Sequence, residues 1–393
     1  MASPVLAEIT RRDLQGLPTP PVAAITDVKH LSSYSWLEAP TPTIAVPGSP
    51  ALWSAPAGSQ LVKKDSGLVY IAQNSARHPS SPLEPLFRSL YIENPSFDIS
   101  SVDVVTDRNN IRKLLSFIDP SSSRSGLEPF TIKLEVTKNT VLFSRVEKVT
   151  YEIIAPHEFR GFGHEFEKAY TKNQIEDSTG HHRVISYRFG GLTLVVRCET
   201  DGYIGARMAR SPSSKKGGDG DLSNLLSSLS LVPSNKSRAP AHVGSKLSVE
   251  RDGQVVSLAS TLEIKTRVAH KPLEFRDVAS QLWLSQTPNL VRAYHVKGVF
   301  NRPEVENVAS QIRAWEAAHQ RDLTKLAALI ARIIRAVKGR CRSAVVRYDI
   351  AGDKLVISSV PDSDVLPKDL YAKWDDRVGG AGLGTGTRER KRP

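Results

Sequence analysis

Three short acidic stretches carry the residue types that metal-assisted hydrolysis requires. "GFGHEFEKAY" places Glu167 in or at the start of a helix, "CETDG" sets Glu199 and Asp201 two apart, and "TLEIKTR" does the same for Glu263 and Lys265. In an extended strand, side chains two apart share a face, so each pair projects together and Ile264 turns the other way into a core. A divalent cation that activates water for attack on a phosphodiester needs several hard oxygen ligands converging on it. A nearby lysine holds the attacking water and neutralises charge developing on the phosphoryl group. An acidic residue on one strand, with Glu-x-Lys on its neighbour, supplies that set. Exposed strand faces with weak cross-strand ion pairs would satisfy the same spacing.

Alternating elements must position these residues. "FTIKLEVTKNTVLFSRVEKVTYEII" (130–154) reads as a hairpin with a Lys138-Asn139 turn, and 182–205 as two strands joined near Gly190-Gly191. Further strands are predicted around Asp252-Gly253 in 246–267, over 290–300 with a turn at Lys297-Gly298, and in a final hairpin, "SAVVRYDIAGDKLVISSV". Helices are predicted over 108–117, 275–286 and 303–338. The last has Pro303 at a first helical position and Lys338-Gly339 as its stop. The fold class is α+β, with mixed central β-sheets flanked by helices.

The 393-residue chain carries a net charge of +12. That excess favours a polyanionic partner such as nucleic acid, and it is equally compatible with a solubility surplus. Residues 1–60, rich in Pro, Ala, Ser and Thr, are expected to be largely extended or disordered, with Trp36 and Trp53 lying against a folded body. Residues 61–375 form a single domain with a flexible insertion at about 208–242, and 376–393 are a disordered basic tail. That tail reads as a solvated end, an RNA contact or a nuclear import signal. The cysteines, Cys198 and Cys341, form no CxxC pair, which argues against a zinc knuckle or disulfide framework and fits the nucleus or cytosol. No apolar run approaches the ~20 residues of a membrane span. His181-His182 reads as a polar turn, and Trp283 and Trp315 as core residues.

In order, these motifs resemble the DXO family of decapping and RNA 5′-end quality-control nucleases, related to the PD-(D/E)XK superfamily. "VDVVTDRNNIRKLL" is similar to the family segment in which an arginine precedes a short Leu-rich helix, making Arg108 that arginine's counterpart. "GHEFE" is similar to Gly–hydrophobic–x–hydrophobic–Glu with His164 in the first hydrophobic place, and "ETD" and "EIK" to Glu–x–Asp and Glu–x–Lys. "RDVASQ" resembles Lys-xxx-hydrophobic-Gln with Arg276 for the lysine, and "GVF" falls where a glycine motif is expected. Asp107 stands where the family tends to carry an aromatic, and is expected to repel phosphate there.

The resemblance implies a DXO-type nuclease core and an Mg2+- or Mn2+-dependent hydrolase of RNA 5′ ends. Its activity would be of decapping, pyrophosphohydrolase or deNADding type, with or without 5′–3′ exonuclease activity. Carried over by position, Glu167, Asp201 and Glu263 ligate a two-metal site with the Ile264 carbonyl, and Glu199 joins directly or through water. Lys265 positions the attacking water, Gln281 steadies Lys265 or that water, and Arg108 contacts RNA or cap phosphates. A 5′–3′ exoribonuclease is the implied protein partner, and the nucleus the favoured location. Two other readings stay open: a catalytically silent relative that binds RNA or the exonuclease, and a DNA nuclease of the same superfamily.

Overall fold

The computed structural model describes residues 4–122, 127–205, 237–238 and 244–375. Within them the larger sheet has twelve strands. Its centre is the parallel trio Thr140–Val146, Val104–Asp107 and Leu192–Glu199, continued by the antiparallel strands Ser178–Phe189 and Ile25–Leu37. Both faces of this centre are covered, which explains why "LTLVV" reads as a continuous apolar run. Val104, Leu194 and Val196 face a core shared with the helices Arg108–Ile118, Ala279–Ser285 and Gln320–Val337. Val105, Val184 and Val195 face the opposite way, onto the helix Glu84–Glu93.

A second sheet contains Leu52–Trp53, Gly202–Tyr203, Thr261–Val268 and Asn289–Val296 in that order, with short strands at its edges. Its core is aromatic. Phe166 and Tyr170, from the helix Gly163–Tyr170, stack with ring centroids 4.0 Å apart and pack with Leu262, Ile264 and Phe300. A separate two-stranded ribbon pairs Gly67–Tyr70 with Tyr151–Ile154. The α+β class and the mixed sheets agree with the sequence reading. No helix among the described residues is long and apolar enough to cross a membrane.

Four expectations are corrected. Residues 4–60 are not an extended or disordered segment but part of the folded domain. Val5–Thr10, Ile25–Leu37 and Thr43–Gly48 are strands of the larger sheet, and Trp36 and Trp53 are buried. The polar run Ser32, Ser33 and Ser35 is buried, with hydrogen bonds such as Ser32–Ser89 at 3.1 Å. Residues 303–338 are not one helix: Val305–Asn307 pairs with Asn289–Val291, and helices follow at Ala309–Ala318 and Gln320–Val337. The 130–154 segment forms the hairpin Thr131–Thr137/Thr140–Val146, but its last strand leaves for the ribbon. His181 and His182 lie in a strand rather than a turn and are both buried. The tail at 376–393 lies outside the described residues, as does most of the insertion; within it, Ser237–Arg238 pairs with Glu250 and Arg251 at the sheet's edge.

The buried histidines have a thermodynamic consequence. His181 accepts or donates to Ser35 Oγ at 3.0 Å, and His182 stacks on Tyr34 and meets Asn74 at 3.0 Å. Burial, followed by the charges of Arg183 and Arg197 respectively, holds both imidazoles well below the usual range, and burial brings His30 down to about 4. The folded protein therefore keeps these rings neutral where the unfolded chain protonates them, below about pH 6.5. Their contribution to stability is complete above that pH and is lost as the pH falls towards 4. Urea unfolding measured across this window should show the decline, and His181→Gln should flatten it. Parallel curves for variant and wild type would count against the assignment.

Candidate active site

The site forms where the chain leaves one sheet for the other. Leu192–Glu199 belongs to the larger sheet and Gly202–Tyr203 to the smaller, so Glu199-Thr200-Asp201 is the crossing. Glu199 ends its strand instead of sharing one with Asp201. Beyond the Gly202↔Leu262 pair, the Asp201 carboxylate replaces the backbone, accepting the Ile264 N–H at 2.8 Å. The crossing is anchored from below by Arg183, which is 1% exposed. Its guanidinium donates to Thr200 Oγ1 at 2.9 Å and to the Ser285 carbonyl at 3.1 Å.

Across the crossing, the strand Thr261–Val268 separates its faces as alternation requires. Leu262 and Ile264 enter the aromatic core, and Glu263 and Lys265 face the cleft. Glu263 is 1% exposed, accepts two hydrogen bonds and faces one further cation. Lys265 Nζ and Gln281 Nε2 both donate to its Oε1, and Arg108 Nη1 stands 3.6 Å from Oε2. Arg108 opens the helix Arg108–Ile118, so that helix points its positive dipole end into the same cleft. Glu167 comes from Gly163–Tyr170, whose other face supplies Phe166 and Tyr170 to the core. Asp65 fixes that helix by accepting the Glu165 N–H at 3.0 Å.

The carboxylates feel one another. Burial and then the Glu263 charge raise Asp201 to about 7, while burial and Asp201 push Glu167 well above the usual carboxylate range. Glu263 moves the other way: burial opposes ionisation, but Lys265 and Arg108 outweigh it and hold the carboxyl low. Burial works against the Lys265 ammonium, but Glu263 and Asp201 restore it and more, so it remains a cation. Among the described residues, no three His, Cys, Asp or Glu side chains are gathered as a ready metal cluster. The Lys265 ammonium, bonded to Glu263 and 4.0 Å from Asp201, supplies positive charge that the carboxylates otherwise lack. Carboxylate oxygens are hard donors, and the set Glu167, Asp201 and Glu263 fits a divalent cation such as Mg2+ or Mn2+.

Beside the carboxylates lies a pocket lined by Arg108, Arg112, Arg145, Arg197, Asn74 and Glu199, among others. Of these, the sequence reading picked out Arg108 and Glu199. Arg112 carried a signal, lying four residues, one helical turn, after Arg108; Arg145 and Asn74 carried none. The Arg108 Nη1 and Asn109 Oδ1 atoms are buried without a hydrogen-bond partner among the described residues. Arg276 does not take part: it is exposed and pairs with Glu274 at 2.8 Å. His164 is exposed on its helix.

The structure also corrects the expectation for Asp107. In the parallel register Asp107 lies opposite Arg197, which donates to both carboxylate oxygens at 2.6 and 3.0 Å. Its charge is therefore neutralised instead of repelling phosphate. Removing one partner of a buried pair leaves the other uncompensated, so Asp107→Ala should lower the unfolding free energy by about 3–5 kcal/mol. Chemical denaturation measures this, and a loss under about 1 kcal/mol would contradict a buried-pair role.

No curated protein matches the sequence at a significant level. Solved structures share the fold. Rai1 of S. pombe is 14% identical, with 90% of this chain and 99% of that chain covered at a TM-score of 0.54. Rai1 of Candida albicans in complex with pU5-Mn2+ is 13% identical, covering 91% and 97% at 0.57. Rai1 of Scheffersomyces stipitis in complex with (3′-NADP)+ and calcium ion is 11% identical, covering 90% and 96% at 0.56. With residues 5–374 matching the domain of unknown function DUF8563, the chain belongs to that family, and its fold is the Rai1 fold expected from the DXO-type motif order.

Proposed function

We propose that this protein is a divalent-metal-dependent hydrolase of RNA 5′ ends. The observation that carries the reading is the electrostatic coupling of Glu167, Asp201, Glu263 and Lys265, joined through Arg108 to an arginine-lined pocket. The fold supports it, as do the pU5-Mn2+ and (3′-NADP)+ complexes of the Rai1 proteins that share it. Glu167, Asp201 and Glu263 would hold Mg2+ or Mn2+ with the Ile264 carbonyl, and Glu199 would join from the pocket rim. Bound there, the metal supplies Lewis acidity at the phosphoryl group.

The chain's own residues supply the rest. Arg108 and Arg112 orient phosphate oxygens, for which guanidinium forks are suited. Lys265 stays protonated, so it donates from Nζ to the attacking water and to developing charge; it does not serve as a base. Gln281 holds the Glu263 Oε1 that also takes Lys265, and so fixes the direction of that ammonium.

Turnover of 5′-triphosphate, capped and NAD-capped RNA with Mn2+ tests this reading. Glu263→Ala and Asp201→Ala should abolish it, and Lys265→Met should slow it by about 10²–10³. Gln281→Ala, a positioning change, should cost about 10–100-fold. Unchanged turnover in the two carboxylate variants would refute the assignment. Cleavage of DNA with no preference for RNA 5′ groups would move the protein to a DNA nuclease.

A further inference from the structure

The cleft absorbs only part of the chain's basic excess. The helix Gln320–Val337 buries Leu323, Leu326, Ile330, Ile333 and Val337. On its outer side Arg321, Arg332 and Arg335 recur at helical spacing along about 21 Å, with half-buried Lys325 and buried Ala328 between the first and the other two. Arg321, Arg332 and Arg335 are exposed, and so is Arg340 just beyond the helix. Arg332, Arg335 and Arg340 line a groove against Leu6, Ala7 and Glu8 of the first strand.

These charges are not neutralised locally. Among the described residues Lys325 meets Asp322 at 3.8 Å, but none of the four arginines has a carboxylate within ion-pair distance. Glu8, the acid in the groove, is engaged by Lys354 at 2.8 Å. Asp13, the acid that shares the fields of Arg12 and Arg332, accepts the Thr10 N–H at 2.7 Å. Arg340 makes one contact with protein oxygen, donating to the Leu6 carbonyl at 3.3 Å. Leu6, Ala7 and Ala336 give the groove some apolar lining, but it holds no aromatic anchor, the side chain that most often centres a protein interface. Exposed guanidinium groups in a row suit backbone phosphates.

The groove is also placed to meet the body of a long substrate. Arg108 opens the helix Arg108–Ile118 in the cleft, and that helix packs against Gln320–Val337. At its other end the Phe117 carbonyl takes Arg11, which follows the strand that borders the groove. The cleft and the strand that borders the groove are therefore linked through one helix about 16 Å long.

We propose that these arginines and the groove form a second nucleic-acid contact, gripping backbone phosphates of an RNA whose 5′ end occupies the cleft. The proposal rests on the RNA substrate assigned above, and its test separates the two. Binding of a long and a short 5′-phosphorylated oligoribonucleotide is measured without divalent metal, as a function of salt, for wild type and Arg332→Gln/Arg335→Gln. Turnover of the short oligonucleotide with Mn2+ is measured in parallel. The long RNA should bind at least about tenfold more weakly to the variant, with the log–log salt slope reduced by about 1.4, two single-strand phosphate contacts. Affinity and turnover for the short RNA, and the melting curve, should not change.

Equal binding of the long RNA by both proteins would overturn the proposal, even if Mn2+-dependent turnover is found. Equal weakening of long and short RNA would overturn it too, because the arginines would then act on the cleft. Loss of binding to polyglutamate with long RNA unaffected would assign the surface to an acidic protein instead. A protein that grips long RNA through these arginines but hydrolyses none would support the groove and remove the enzymatic reading alone.

Discussion

The site is organised around one carboxylate. Glu263 lies almost wholly out of water, and a lone ion there would be costly. It is tolerable because compensating groups reach it from three directions: hydrogen bonds from Lys265 on its own strand and Gln281 on the helix Ala279–Ser285, and the Arg108 charge from the helix behind the larger sheet. Each group comes from a different element, so Glu263 ties the smaller sheet to the helical layer of the larger one. This is why its carboxyl stays acidic while Asp201 and Glu167, with poorer compensation, are pushed up.

That asymmetry gives the cleft its electrostatic character. Four carboxylates, Glu167, Glu199, Asp201 and Glu263, face two nearby cations, Lys265 and Arg108, so the carboxylate end has room for added positive charge. The neighbouring pocket has the reverse balance. Arg145 is partly satisfied by Glu147 at 2.7 Å and Arg197 by Asp107, but Arg112 has no ion-pair partner among the described residues. A cation-seeking end beside an anion-seeking end suits a phosphate ester, whose oxygens face guanidinium groups while its phosphorus faces the water held opposite.

Much of this could be read from local patterning. Period-two alternation located Ser178–Phe189, Leu192–Glu199 and Thr261–Val268, and it set Glu263 and Lys265 on one face with Ile264 behind. What escaped depends on partners far away in sequence. Ile25–Leu37 looks loose in isolation because its serines are polar; it is a strand because Ser178–Phe189 and Thr43–Gly48 flank it. His181 and His182 resemble a turn until Ser35 and Asn74 arrive to receive them. Pro303 looked like a helix start because nothing local shows Val305–Asn307 pairing with Asn289–Val291. Asp107 looked repulsive because its neutralising arginine lies on another strand.

The first strand of the larger sheet has a bearing on how the chain comes to be folded. Among the described residues Val5–Thr10 pairs only with Lys354–Ser359, and Ile25–Leu37, flanked early by Thr43–Gly48, keeps its other edge open until Ser178–Phe189 is made. On a ribosome these edges therefore emerge long before the strands that cover them. Topologies of such high contact order form slowly, and their unpaired edges invite wrong pairing in the interval. Glu167, Asp201, Glu263 and Gln281 come from distant parts of the same chain, so they meet only once both sheets have closed. Nascent fragments therefore lack the assembled cleft, which comes together only when both sheets are complete.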